Sequence, residues 1–296
     1  MLKDMETLTA PKVNQVSSQL LEITGEKVSW LFDLLHGSLV SMRKGGVEML
    51  HSPPVLDFYR AVTDNDRPKF GQSWFDARVH QTKQHFRSTA WSLGDGVNIV
   101  VTSRIAPPVL EWSVDTVTSY SFTNQKLSIR VSGIPRGNKL PSTFPRMGLT
   151  LALNDIENVC WFGRGPGESY RDKKLSQKFG NHSLPIDDLF VDYEFPQETS
   201  NRTDVRWVQF STKDSGPSLK AHFGALQGAS FSALHYTTKD LDECGHPYEL
   251  KKKRKEETIV RLDWAHHGLG TGSCGPETLP EYELRSGVFD YEVLLE

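Results

Sequence analysis

Apolar and polar residues alternate along much of this chain. Leu127, Ile129 and Val131 interleave with Lys126, Ser128, Arg130 and Ser132. Phe289, Tyr291, Val293 and Leu295 interleave with Asp290, Glu292 and Glu296. A period of two puts one face of a strand on a core and the other toward water. The same pattern predicts strands at 27–31, 39–43, 97–105, 112–122, 147–153, 205–211, 219–223, 230–235, 258–263 and 280–284. Gly45-Gly46, Gly94-Asp95-Gly96 and Thr123-Asn124-Gln125 mark turns between strands. Short helices of about two turns are expected at 73–80, 171–179 and 238–243, and 135–145 reads as a loop. Many short strands with few helices predict an all-β fold, a large antiparallel sandwich. The polar start of the chain reads as a tail or linker over 1–20, followed by one β-sandwich domain over 21–296.

Bulk properties narrow the function classes. At 296 residues the chain can bury a sizeable core. A net charge of −3 gives no global signal for nucleic acid or membrane. No apolar run approaches the roughly 20 residues that span a bilayer. Cys160, Cys244 and Cys274 are odd in number and unrelated in spacing, so no disulfide or zinc framework is expected. Met1–Glu6 lacks the basic and apolar regions of a signal peptide. Together these lead us to expect a cytoplasmic location.

The densest chemistry lies between Trp161 and Trp207. It comprises the run from Trp161-Phe162-Gly163-Arg164-Gly165-Pro166-Gly167-Glu168 to Ser169-Tyr170-Arg171-Asp172, then Phe195-Pro196-Gln197-Glu198, then Asn201-Arg202-Thr203-Asp204-Val205-Arg206-Trp207. Upstream is Arg60-Ala61-Val62-Thr63-Asp64-Asn65-Asp66. Downstream, Leu262-Asp263-Trp264 leads to Gly268-Leu269-Gly270-Thr271-Gly272-Ser273-Cys274. From about Glu22 to Glu296, these regions in this order resemble the C-terminal domain, or small chain, of the family 2 β-galactosidases.

That resemblance implies a supersandwich similar in architecture to galactose mutarotases. It also implies a division of labour. The acid/base and nucleophilic glutamates of the complete enzyme sit on a (β/α)8 barrel, which would need roughly 250 residues. No catalytic residue is therefore expected here. The chain would complete the rim of a site for retaining hydrolysis of terminal non-reducing β-D-galactose, as in lactose, and be inactive alone. Its expected partners are the barrel-containing portion and a β-galactoside. The expected substrate-binding residues are Asp64, Asn65, Asp66, Ser273 and Cys274. No metal site or cofactor is expected within the chain, while Mg2+ and Na+ are associated with the complete enzyme. Two departures stand out. The family's bacterial pattern has a sugar-stacking tryptophan where Cys274 stands. It also has Ile-Gly where Arg67-Pro68-Lys69-Phe70-Gly71 follows Asp66, so the hinge of that loop differs or falls to Gly71.

Other readings remain open on residues alone. Asp64-Asn65-Asp66 suits a site-adjacent loop, a turn held by Asx hydrogen bonds, or oxygen ligands for calcium. Glu168 and Glu198 would suit a retaining pair if about 5 Å apart, or ion pairs with nearby arginines. Arg164, Arg171, Arg202 and Arg206 suit bidentate bridges to Asp172 and Asp204. His266-His267 suits proton transfer, a metal, or strand-end rings with hydrogen-bonded partners. Lys251–Lys255 suits a phosphate patch or a solvated loop. The rival function classes are a stand-alone carbohydrate-binding sandwich, marked by an aromatic platform in a groove, and a mutarotase-type epimerase, which needs a base and an acid in one cleft.

Overall fold

The computed structural model describes residues 10–213, 216–223 and 229–296. In chain order the strands are β1 (Lys12–Gln15), β2 (Leu20–Thr24), β3 (Val28–Asp33), β4 (Ser38–Lys44), β5 (Val47–Glu48), β6 (Leu50–Asp57), β7 (Lys83–Leu93), β8 (Val97–Ala106) and β9 (Ser113–Phe122). They continue as β10 (Leu127–Arg136), β11 (Arg146–Leu153), β12 (Ile156–Gly165), β13 (Lys178–Pro185), β14 (Trp207–Thr212), β15 (Ser218–His222), β16 (Ser230–Leu234), β17 (Thr258–His266) and β18 (Phe289–Leu295). All pairings are antiparallel. β1–β5 form one sheet in chain order. A nine-stranded sheet runs β13-β12-β14-β15-β18-β10-β9-β8-β7, and a four-stranded sheet runs β16-β17-β11-β6.

The nine-stranded sheet is one layer, and the two smaller sheets share its inner face. Trp30 and Phe32 of β3 meet Phe122 and Tyr120 of β9, with ring centroids 5.3 and 4.9 Å apart. On the other side, Phe58, just past β6, meets Phe289 at 6.0 Å, and Phe231 meets Phe210 at 6.1 Å. Edge-to-face pairs at this spacing add to the area they bury. Gly133 faces Phe289 across the β10–β18 ladder, and a Cβ there would fall 2.2 Å from the ring.

The expected sandwich is present, with local differences. Of the expected tail, residues 1–9 lie outside the described residues, while Lys12–Gln15 pair with β2. The expected strand at 280–284 is a 3-10 turn over Pro280–Tyr282, begun by a proline that has no N–H for a ladder. The expected helix at 171–179 is absent: Tyr170 and Lys173 exchange backbone hydrogen bonds in a tight turn, and β13 begins at Lys178. The helix expected at 73–80 is α1 (Gln72–Asp76), which ends where Arg78 takes φ 53°, and α2 (Thr238–Glu243) lies as expected. α3 (Pro247–Lys251) was not foreseen.

The four-stranded sheet departs furthest from the simple alternation. On its inner face Leu149, Leu151, Val260 and Leu262 meet the core. Its other face carries Thr150, Arg261 and Asp263, with Arg146 at a bulge beside them. Alternation assigns such a face to water. Here Arg146, Arg261 and Asp263 are buried and Thr150 is half-buried, with Arg261 reaching Thr238 of α2 and Glu198 of the 190–206 loop lying 3.7 Å from His266. A polar layer therefore lies between the sheet and its loops.

Adding a methyl at Gly133 overpacks the Phe289 contact. Gly133→Ala is expected to lose about 1–3 kcal/mol of stability, measured by urea unfolding.

Candidate functional site

Three loops surround a groove of about 750 Å3. Thr63–Asn65 come from the segment after β6. Tyr193, Gln197 and Glu198 come from the long connection before β14, and Leu269, Gly270, Thr271 and Ser273 from the segment after β17. Asp172, Glu277 and Tyr282 complete the walls. The loops are tied to one another by side chains. Asn65 Oδ1 accepts from Ser273 Oγ at 2.7 Å and Ser273 N at 3.2 Å. Gln197 donates to Asp64 Oδ2 at 3.2 Å and accepts from Asp64 N at 3.1 Å. Lys69 pairs with Glu277, and Arg67 lies 4.2 Å over the Phe195 ring.

Beneath the groove the fully buried Arg60 holds both principal loops. Its Nη2 donates to Asp66 Oδ1 at 2.8 Å and Oδ2 at 3.1 Å. It also donates to the backbone carbonyls of His267 at 2.7 Å and Gly268 at 3.2 Å. Asp66 in turn accepts from Thr63 N and Oγ1, which fixes the turn presenting Asp64 and Asn65. The expected substrate role of Asp66 is therefore corrected to an internal one: its carboxylate is buried and faces Arg60, away from the groove. Asp64, Asn65 and Ser273 line the groove. Cys274 is exposed on the same loop, outside the lining, with its sulfur 3.9 Å from Ser273 Oγ.

The glycine-rich loop is gripped from the opposite side. Asp172 accepts from Leu269 N at 2.9 Å and Gly270 N at 2.7 Å. Gly272 packs so closely that a Cβ would fall 2.6 Å from the Asn65 carbonyl oxygen. Asp172 thus binds backbone amides, where an arginine bridge was expected. Among the expected arginine bridges, Arg164 meets Asp204 at 2.6 Å, while Arg202 donates to the carbonyls of Pro166, Leu189 and Ser200. The Arg67–Gly71 segment is a π-helical turn leading into α1, with Phe70 buried.

The two tempting glutamates differ sharply. Glu168 accepts from Lys173 Nζ at 2.8 Å, from Ser200 N at 3.0 Å and from Tyr193 Oη. Burial works to raise its pKa, but these donors hold it below the ordinary range. Glu198 is buried, and neither of its oxygens has a hydrogen-bond partner among the described residues. Burial pushes its carboxyl up to about 7, against the pull of Arg261, Arg60 and Arg146. His266 Nε2 lies 3.7 Å from Glu198 Oε1. Arginine only donates, so Arg60 Nη1, 2.8 Å from His266 Nδ1, assigns the ring proton to Nε2. Burial and the neighbouring guanidiniums hold the ring neutral. Glu198 and His266 have the residue types of an acid–base pair, but their side chains are 1% and 3% exposed and 3.7 Å apart, too close for a sugar ring between them.

Among the described residues, no group of three His, Cys, Asp or Glu side chains is placed to hold a metal ion. The Asp64–Asp66 turn cannot serve as a calcium loop while Asp66 faces Arg60. No helix among those residues is long and apolar enough to cross a membrane.

The architecture is that of the galactose mutarotase-like sandwiches. A galactose mutarotase-like protein from Lactobacillus casei superposes with a TM-score of 0.50 at 12% identity, covering 94% of this chain and 99% of that one. The sequence supplies the narrower assignment: residues 24–295 match the family described as β-galactosidase small chain, and the chain belongs to that family. It is 30% identical to the β-galactosidase of Kluyveromyces lactis over 98% of this chain and 28% of that enzyme. It is 31% identical to the β-galactosidase of Arthrobacter sp. (strain B7) over 84% of this chain and 26% of that enzyme. The chain thus spans little more than a quarter of these relatives.

Two outcomes follow from the geometry. Asp172→Ala removes both acceptors from the glycine-rich loop. Hydrogen exchange at the Leu269 and Gly270 amides should accelerate at least about tenfold, a hydrogen bond to a charged acceptor being worth roughly 1.5–3 kcal/mol. Glu198 has a folded pKa above its ordinary 4.5, so the folded state binds the extra proton between pH 4.5 and about 7. Its contribution to stability is greatest below that window and is lost as pH rises through it. The stability of the unmodified chain minus that of Glu198→Gln should therefore fall across this window in urea titrations at stepped pH.

Proposed function

We propose that this chain completes the rim of a β-galactosidase active site, contributing loops but not the catalytic carboxylate pair. The observation that carries this reading is the convergence of three distant sequence regions on one groove. Asp64–Asn65, Gln197–Glu198 and Leu269–Ser273 bring carboxamide, carboxylate and hydroxyl groups together, a chemistry that suits a polyhydroxylated ligand. The relatives' names give the substrate class, a β-galactoside. The catalytic portion would be the barrel that the chain's length does not accommodate. It would hydrolyse terminal non-reducing β-D-galactose with retention, in the cytoplasm. Mg2+ and Na+ belong to that portion in this reading, because Asp64, Glu277 and Asp172 are engaged by Arg67, Lys69 and backbone amides, and the Glu198 side chain is buried beside His266.

Cys274 sits on the exposed edge of the groove, where it would face the incoming portion or the leaving group of the substrate. Asp64, Asn65 and Ser273 would act through the shape of the rim. The epimerase alternative is disfavoured by the closeness and burial of Glu198 and His266. A stand-alone sugar-binding module would favour a broad aromatic platform, whereas the groove's aromatic lining is Tyr193 and Tyr282.

Hydrolysis of nitrophenyl β-galactoside tests this directly. The chain alone should be inactive and should restore activity when mixed with a barrel-containing fragment. Activity of the chain alone, or no restoration on mixing, would contradict it. In the restored enzyme, Asn65→Ala releases Ser273 and loosens the rim, and is expected to lower kcat/KM by about 3–10-fold.

A further inference from the structure

The nine-stranded sheet ends in β7, whose far side pairs with no strand among the described residues. An open edge offers a row of backbone N–H and C=O groups to any other strand, and folded proteins usually guard it. The other edges here are guarded. β1 has four residues and β5 two. β6 carries Pro53-Pro54, β13 runs from Lys178 to Pro185, and β16 is buried. The first half of β7 is guarded too, by Lys83, His85 and Arg87 and by a register shift between Phe86 and Ser88.

The second half, Ser88-Thr89-Ala90-Trp91-Ser92-Leu93, is not. It holds no charge and no proline, and its ladder to β8 is regular. Thr89, Trp91 and Leu93 stand opposite the buried Val101, Ile99 and Val97, on the inner face of the sheet. Yet Trp91 is 37% exposed and Leu93 68%. The apolar inner face therefore continues past the part that the smaller sheets cover, and it does so along an unpaired backbone.

We propose that this edge is a contact between two copies of this chain, β7 pairing antiparallel with the partner's β7 across a two-fold axis at Trp91. The inference stands apart from the groove and its function. A two-fold contact requires a surface complementary to itself, and β7 meets that requirement. Centring the axis on Trp91 sets Trp91 against the partner's Trp91, Thr89 against the partner's Leu93 and Ala90 against the partner's Ser92. The inner face gains an aromatic pair with an apolar contact on each side, and the outer face meets only small side chains. The same register carries Arg87 to the partner's Asp95, in the turn after β7, and does so twice by symmetry. Arg87 and Asp95 are exposed, and neither is in an ion pair among the described residues. Centring on Ala90 instead sets Arg87 against the partner's Leu93 and loses both matches. Pairing occupies the edge in both copies, so the assembly closes at two.

The test is sedimentation velocity of the full chain across micromolar to near-millimolar concentrations, with light scattering for mass. A monomer–dimer equilibrium is expected, with slower hydrogen exchange over 88–93 in the dimer. Trp91→Lys sets two ammonium groups together at the axis and should weaken dimerisation at least about tenfold. Leu175→Lys, on a 96% exposed residue beside the opposite edge strand, should leave it unchanged. Arg87→Asp and Asp95→Arg should each weaken it roughly three- to tenfold, and the two together should restore it, which a folding defect would not do. A monomer at every concentration would overturn the proposal, as would growth beyond the dimer. So would a dimer indifferent to Trp91→Lys, or one that the paired charge reversal fails to restore. If the chain stays monomeric and 88–93 gains protection only on adding the barrel-containing fragment, the edge belongs to the rest of the enzyme and the proposal is wrong.

Discussion

The Arg60–Asp66 ion pair is the contact on which the groove depends. Both side chains are fully buried, and such a pair gains little net stability over an apolar replacement of equal volume. Its effect is positional. The same guanidinium holds the Asp66 turn and the carbonyls at His267 and Gly268, so a loop near residue 65 and another near residue 270 share one anchor. Asn65 and Ser273 then meet across the groove because their supports are fixed a few ångströms below them. Asp172 grips the second loop from the opposite side, leaving it little freedom to swing away.

This anchor belongs to a larger polar layer. Arg146 joins Asp263 and Asp57, and Arg261 reaches Thr238 and Ser232. The four-stranded sheet is thereby buried on both faces by different means, aliphatic side chains against the nine-stranded sheet and ionic side chains beneath the loops. Glu198 closes the layer from the groove side as its least satisfied member, with three guanidiniums nearby and no direct hydrogen bond. Its protonation near neutrality is the electrostatic consequence of inserting a carboxyl into a layer whose other acids are better placed.

Much of the sandwich was legible from alternation. β8 and β18 follow it cleanly, burying every second residue, and β10 does so from Leu127 to Gly133. The unforeseen strands lack the signal for physical reasons. β7 is an edge strand exposed on both faces, so it has no apolar side to reveal it. β6 contains Pro53-Pro54, which an edge strand tolerates. β12 carries two glycines, Gly163 and Gly165, and Gly163 packs against Val205. At the groove, the order of motifs identified Asp64, Asn65 and Ser273 as neighbours of one opening, although over two hundred residues separate the ends. The inward turn of Asp66 was not legible, because three consecutive polar residues in a turn do not reveal which one faces a buried arginine. Nor was the solitude of Glu198, since a glutamate among arginines suggests a pair, whereas Arg60, Arg146 and Arg261 are directed to Asp66, Asp263, the hydroxyls of Ser232 and Thr238, and the backbone.

The central claim is that one buried guanidinium positions both walls of the groove. The most direct test is hydrogen exchange by mass spectrometry on Arg60→Met, which keeps the side chain's bulk and removes its donors. The account predicts that segments 63–66 and 267–273 lose protection together while β8, β10 and β18 keep theirs. Loosening of the first segment alone, with the glycine-rich loop unchanged, would contradict it.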